Sequence, residues 1–132
     1  MAVVECRDQG AVRVITLNRP DQLNALNTET LVAMRAALAD AAHDSGVRCL
    51  VLTGAGRGFC AGADVDEWAS KKETPPEHDW VAEATAMVQE LHALSVPTLA
   101  MIDGAAVGAG LDLALACDFR LATARSKFIW AY

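Results

Sequence analysis

The chain is short of basic residues. Eleven Lys and Arg face seventeen Asp and Glu, a formal charge of −6, which argues against nucleic acid as a main partner. It also lacks any apolar run near the ~18 residues that a membrane span needs, and its N-terminus has no basic-then-apolar leader layout. These absences exclude a membrane partner by this reading and predict a soluble cytoplasmic protein. No Cys-x-x-Cys pair occurs among the four cysteines, Cys6, Cys49, Cys60 and Cys117. A zinc or disulfide framework is therefore set aside; at least three of them are expected to be small buried thiols, with Cys60, in a glycine-rich loop, the more exposed one. His43, His78 and His92 show no ligand spacing, so no metal is expected. Charged residues, at 21%, are fewer than usual and hydrophobic ones, at 53%, more numerous, so 132 residues suffice for one well-filled domain or for part of a larger fold.

What is present alternates. Val12 to Leu17 is β-branched and reads as a strand, with Cys6 to Gly10 before it as a turn or hairpin partner. Asn18-Arg19-Pro20 ends it, because proline removes a donor and restrains the residue before it. A helix follows over about Thr28 to His43, with Leu31, Met34, Leu38 and Ala41 on one face. Cys49 to Thr53 is a continuous apolar run, the pattern of a strand covered on both sides. Residues 69 to 79, polar and carrying two adjacent prolines, read as a mobile surface loop, in which Lys71 and Lys72 offer charge to an anion. Trp80 to Leu94 is a second helix, with Asp79 as its cap, and Thr98 to Ile102 and Phe119 to Ala122 are further strands. Strand and helix in alternation predict an α/β fold built on parallel β-α-β crossovers.

Two stretches of small residues stand out. Gly54 to Asp64 follows a strand, but Phe59 occupies the sixth place of a Gly-x-Gly-x-x-Gly pattern and no helical period starts there, which makes a dinucleotide turn a weak reading. Gly104 to Gly110 reads as a turn from a buried strand into an apolar helix, with Asp112 in the first helical turn and Leu111, Leu113 and Leu115 around it. Glycine and alanine at a helix start let a ligand oxygen approach unsatisfied N–H groups. Asp112 in that first turn also favours the helix dipole, as acids there commonly do. The chain closes on Phe128, Ile129, Trp130 and Tyr132, an apolar end that predicts either a continuation or a second chain against it.

Val14-Ile15-Thr16-Leu17-Asn18-Arg19-Pro20 with Asn24-Ala25-Leu26, then Phe59-Cys60-Ala61-Gly62-Ala63-Asp64, then Ile102-Asp103-Gly104 with Gly108-Ala109-Gly110 and Cys117-Asp118, in that order, resemble the crotonase (enoyl-CoA hydratase/isomerase) superfamily. The resemblance covers essentially the whole chain, yet only about the first half of a typical member. It implies a spiral of ββα turns, apparently truncated here, that binds acyl-CoA thioesters of fatty acid metabolism. It also implies trimers or hexamers for the full-length protein, and otherwise a complementary chain. By the same matching, Ala63 and Ala109 supply the two backbone N–H groups of an oxyanion hole, and Asp112 takes the place of the first catalytic acid. Ala25, Ala61, Gly62, Asp64, Val65 and Gly108 fall at substrate-binding positions. No cofactor is implied beyond the coenzyme A that is part of the substrate. Hydratases of the family usually carry Glu at both acidic positions, whereas this chain has Asp112 at the first and, aligned through Phe128, Tyr132 at the second. The resemblance thus leaves open hydration, isomerisation with an acid further downstream, and a catalytically inert or two-chain acyl-CoA-binding protein.

Overall fold

The computed structural model describes residues 2–70 and 79–132. Residues 71–78, with Lys71, Lys72, His78 and most of the expected loop, lie outside them. Ala69 and Ser70 belong to a helix, which corrects the reading of those two residues as loop, and Asp79 caps the next helix.

β1 (Val4–Gln9) and β2 (Val12–Leu17) form an antiparallel hairpin through Gly10, whose φ of 59° suits a residue without a side chain. From β2 onward the pairing is parallel. β2 lies beside β3 (Cys49–Gly54), β3 beside β4 (Thr98–Ile102), and β4 beside β6 (Phe119–Ala122), giving the order β1-β2-β3-β4-β6. The crossovers carry α1 (Thr28–His43), then α2 (Val65–Ser70) and α3 (Trp80–His92), then α4 (Ala109–Ala116). In β2, Ile15 and Leu17 point into the core. Arg13 shares that face and is paired with Asp8, Asp40 and Asp44 at 2.8–3.1 Å, joining the hairpin to α1. The predicted stripe Leu31, Met34, Leu38 and Ala41 is buried against Ala84, Met87 and Leu91 of α3 and the sheet. Asn27 caps α1 by accepting from Thr30 N at 2.9 Å, and Asp79 caps α3 by accepting from Val81 N and Ala82 N.

A second, shorter parallel row runs beside the first. β5 (Ala105–Val107) pairs with β7 (Lys127–Ile129), and Cys60 forms a bridge to Ala106 on the other side. Each turn of chain therefore lays one strand in the large sheet, one segment in the small row, and a helix across both, which is the ββα spiral expected. β5 corrects the reading of Gly104 to Gly110 as a turn throughout, and β7 gives part of the apolar chain end a partner within the chain. Position 60 corrects the reading of the cysteines. Cys60 is 0% exposed and Cys117 is buried, Cys49 is half-buried, and Cys6 is the exposed one. Burial pushes the Cys60 thiol up to about 12 and that of Cys117 to about 11, so neither is a thiolate at neutral pH.

The loop after β3 closes on itself. The amide nitrogen of Asn24, in the left-handed region at φ 59°, donates to Ala55 O and Gly58 O at 2.9 Å each, and its carbonyl accepts from Arg19 N at 2.8 Å. The loop carbonyls are thus committed to a buried side chain, and no helix starts there to receive a phosphate, which removes the dinucleotide reading. Among the described residues, no helix is long and apolar enough to cross a membrane.

Candidate active site

Two segments of the short row meet around a cavity of about 530 Å³ lined by Ala61, Gly62, Ala63 and Val65 from one side and Val107, Gly108 and Ala109 from the other. Trp68, Trp80 and Tyr132 complete its wall. A neighbouring cavity of about 400 Å³ shares Trp68, Trp80, Ala109 and Tyr132 and adds Asp112, Ala84 and Val88. The sequence-predicted residues Ala61, Gly62, Ala63 and Val65 are in this way brought together with Gly108, Ala109 and Asp112 from a distant part of the chain.

Glycine makes the close approach possible at two points. A Cβ on Gly62, whose φ is 88°, would stand 2.7 Å from Val107 O, and the same position is 3.5 Å from Ala109 N. A Cβ on Gly110 would collide with the Cys60 carbonyl oxygen and lie 2.8 Å from the carbonyl carbon. The two segments are therefore in backbone contact with no side chain between them. Their register is equivalent as well. Cys60 and Ala106 face each other, and Ala63 and Ala109 each lie three residues beyond that pair.

Among the described residues, no acceptor takes the N–H of Ala63 or of Ala109. Around Ala63 the bonds run from Leu26 N to Gly62 O (2.7 Å) and from Asp64 N to Leu26 O (3.2 Å), which leaves the Ala63 N–H on the other edge. Ala109 opens α4, where the N–H has no intrahelical partner, and the Gly108 carbonyl takes Asp112 N at 3.0 Å. Asp112 stands one turn along the same helix, half-buried, at the edge of the second cavity. Of its expected leucine neighbours, Leu111 and Leu113 are buried, while Leu115 faces outward.

Two other sequence-predicted residues sit behind the wall. The buried Ala25 carbonyl accepts from the Arg19 guanidinium at 2.6 Å. Asp64, 8% exposed, pairs with Arg19 at 3.0 Å and accepts from Asp66 N and Glu67 N at 3.1 Å each, starting α2. The Glu67 N–H and the Arg19 guanidinium hold its carboxyl below the usual carboxylate range against the cost of burial. Both residues shape the loop that carries Ala63 and are not part of the cavity lining.

Sequence reasoning missed α2 and its Trp68. The signal was available as Asp64-x-x-Glu67, an acid that caps followed three residues later by Glu. Trp68 stands edge-on to Trp80 with ring centroids 5.4 Å apart, and the Trp80 indole donates to Leu26 O at 2.8 Å, so an indole wall faces the two alanines. Tyr132, 75% exposed as a residue, donates to Gly108 O at 3.1 Å, and desolvation of the hydroxyl together with the neighbouring Asp112 carboxylate pushes its phenol up to about 12. Among the described residues, no group of three His, Cys, Asp or Glu is placed to hold a metal ion.

A family model described as enoyl-CoA hydratase/isomerase matches residues 12–131. The chain is 36% identical over 121 residues to the short-chain-enoyl-CoA hydratase of Clostridium acetobutylicum, covering 91% of this chain and 46% of that protein. It is 38% identical over 124 residues to the 1,2-epoxyphenylacetyl-CoA isomerase of Escherichia coli, covering 92% and 47%. A Pseudomonas aeruginosa protein of known structure superposes with a TM-score of 0.95 at 43% identity, covering 100% of this chain and 57% of that one. A monofunctional enoyl CoA isomerase from M. smegmatis superposes with a TM-score of 0.80 at 34% identity, covering 97% and 53%. The chain spans about half the length of the curated relatives it matches. With the ββα spiral and the paired small-residue segments, these likenesses place it: the chain belongs to the enoyl-CoA hydratase/isomerase family.

Proposed function

We propose that this chain carries the thioester-polarising half of an acyl-CoA enzyme of the hydratase/isomerase type, with the Ala63 and Ala109 N–H groups as an oxyanion hole and Asp112 as general acid and base. The observation that carries it is the pair of unengaged N–H groups at equivalent register on touching segments. Adjacent strands lie about 4.8 Å apart, a spacing from which two N–H groups can reach one oxygen at about 2.9 Å each.

A thioester α-proton is weakly acidic, and its removal, or attack at the β-carbon, drives negative charge onto the carbonyl oxygen. Two fixed donors in an apolar cavity stabilise that charge without reorganising, and one such donor is worth ~3 kcal/mol in the transition state. Valine and indole walls suit an acyl chain and keep water away. Asp112 is the one carboxylate lining either cavity among the described residues. A single carboxylate suits migration of a double bond, in which the proton lifted from one carbon is returned to another. Addition of water asks for a second base, and a phenol held protonated is not one. Coenzyme A enters as part of the substrate. A cytoplasmic location and assembly into trimers or hexamers belong to the same proposal.

The test uses 3-enoyl-CoA and crotonyl-CoA as substrates for the wild type, Ala109→Pro and Asp112→Asn. Double-bond migration by the wild type is expected, with kcat down about 10²–10³-fold in Ala109→Pro and by about 10²–10⁴-fold in Asp112→Asn. Proline is well accepted at the first position of a helix, so the loss reports the missing N–H. Normal turnover in either variant refutes the assignment. The half-length span favours one other reading, an acyl-CoA-binding chain that is inert by itself or completed by a second chain; binding of crotonyl-CoA without turnover selects it.

A further inference from the structure

The peptide group that ends in the Ala109 N–H begins at the Gly108 carbonyl, and that carbonyl accepts twice. One bond is the helical one from Asp112 N at 3.0 Å, and the other comes from the Tyr132 hydroxyl at 3.1 Å, 24 residues away. The other side of Gly108 is held too, since its N–H donates to Ile129 O at 3.0 Å. We propose that Tyr132 is a positioning residue: its hydroxyl fixes the plane of the Gly108–Ala109 peptide and polarises it, so that the Ala109 N–H is a stronger donor than an unassisted helix start would provide. The inference rests on the role given above to the Ala109 N–H.

The physical basis is hydrogen-bond cooperativity. A donor at the carbonyl draws electron density toward oxygen and leaves the N–H of the same amide more acidic, strengthening its own bond by about 10–30%. The arrangement works only while the phenol keeps its proton. Desolvation of the hydroxyl, on an otherwise exposed residue, and the Asp112 carboxylate both oppose ionisation. Asp112 is a second acceptor for that one proton, and the Gly108 carbonyl is polarised only while the hydroxyl donates to it, as it does here at 3.1 Å. Trp130 stands edge-on to the Tyr132 ring with centroids 5.0 Å apart. Tyr132 thus acts through the oxyanion donor and not on substrate.

Tyr132 is the sole tyrosine of the chain, so ultraviolet absorbance of tyrosinate reports on it alone. At about pH 10.5 an ordinary phenol is about 75% ionised and one titrating near 12 about 3%. The wild type is expected to follow the second figure and Asp112→Asn to move toward the first. The functional arm compares the wild type with Tyr132→Phe, using hexadienoyl-CoA, whose absorption moves to longer wavelength as its carbonyl is polarised. A red shift in the wild type, a smaller one in Tyr132→Phe, and a kcat for 3-enoyl-CoA lower by about two- to five-fold at unchanged KM are expected. Ordinary ionisation of Tyr132 in the wild type, or equal red shifts and equal kcat in the two proteins, overturns the inference while the oxyanion hole stands. Absence of any red shift in the wild type overturns the Ala109 reading and this inference with it.

Discussion

Replacing Gly110 by alanine sets two magnitudes against each other. In the first turn of a helix, alanine is the better helix former by about 0.8–1.0 kcal/mol, so propensity alone predicts a more stable protein. The new methyl group, however, would overlap the Cys60 carbonyl oxygen and stand 2.8 Å from both the carbonyl carbon and the Cβ of Cys60. Cys60 cannot yield freely. It is fully buried, its N–H donates to Ala105 O at 3.1 Å, and its carbonyl accepts from Val107 N at 3.0 Å. Overpacking a rigid backbone contact costs about 1–3 kcal/mol, and a strained backbone bond adds about 1 kcal/mol. The net is a loss of about 2 kcal/mol, a fall in Tm of roughly 6–10 °C. Because relief comes from moving the start of α4 away from the Ala63 segment, turnover should fall by about 10²-fold even where the protein remains folded. Thermal unfolding followed by circular dichroism and kcat on 3-enoyl-CoA measure the two effects. An unchanged or higher Tm with full turnover refutes the claim that glycine at 110 sets the spacing of the two N–H groups.

Asn24→Ala removes three hydrogen bonds from a buried side chain and leaves two loop carbonyls unpaired, and urea unfolding should show a loss of about 2–4 kcal/mol. Asp64 titrates below its ordinary value of 3.8 in the folded protein, so its contribution is fully present above that value and disappears as pH falls through the lower, folded one. Asp64→Asn should therefore be less stable than the wild type at pH 7, with the gap narrowing steadily below about pH 4 in unfolding curves taken as a function of pH. A thiol reagent at neutral pH should modify Cys6 in the native protein and spare Cys60 and Cys117, with all four thiols reacting in denaturant; mass spectrometry of the labelled peptides gives the order.

Elements with a full period were legible in the chain. The stripe from Leu31 to Ala41 and the run from Cys49 to Thr53 bury the residues they predict, because a long helix and a doubly covered strand leave repeated marks in a sequence. β5 and β7 were hidden, since three residues are too few for alternation to register and a Gly-Ala stretch looks like a turn. Cys60 was misjudged for a related reason: glycine-rich segments usually face water, but this one is flanked by glycine so that another backbone can lie against it. Asp112 could be singled out from its place in the first turn of a helix that starts among small residues, whereas Ala63 and Ala109 were picked out as donors only through the family resemblance. The bond from Tyr132 to Gly108 could not, because it exists only once β7 has been laid against β5.

The equivalence of Ala63 and Ala109 across the Cys60–Ala106 pair means that their separation is an inherited dimension of the spiral, the rise from one turn to the next. Whatever is inserted in the arcs outside those two triplets of residues leaves it untouched, whereas deleting a single residue within either triplet would put one donor out of step. The helices and side chains carried on those arcs can thereby differ while the spacing of the two N–H groups stays constant.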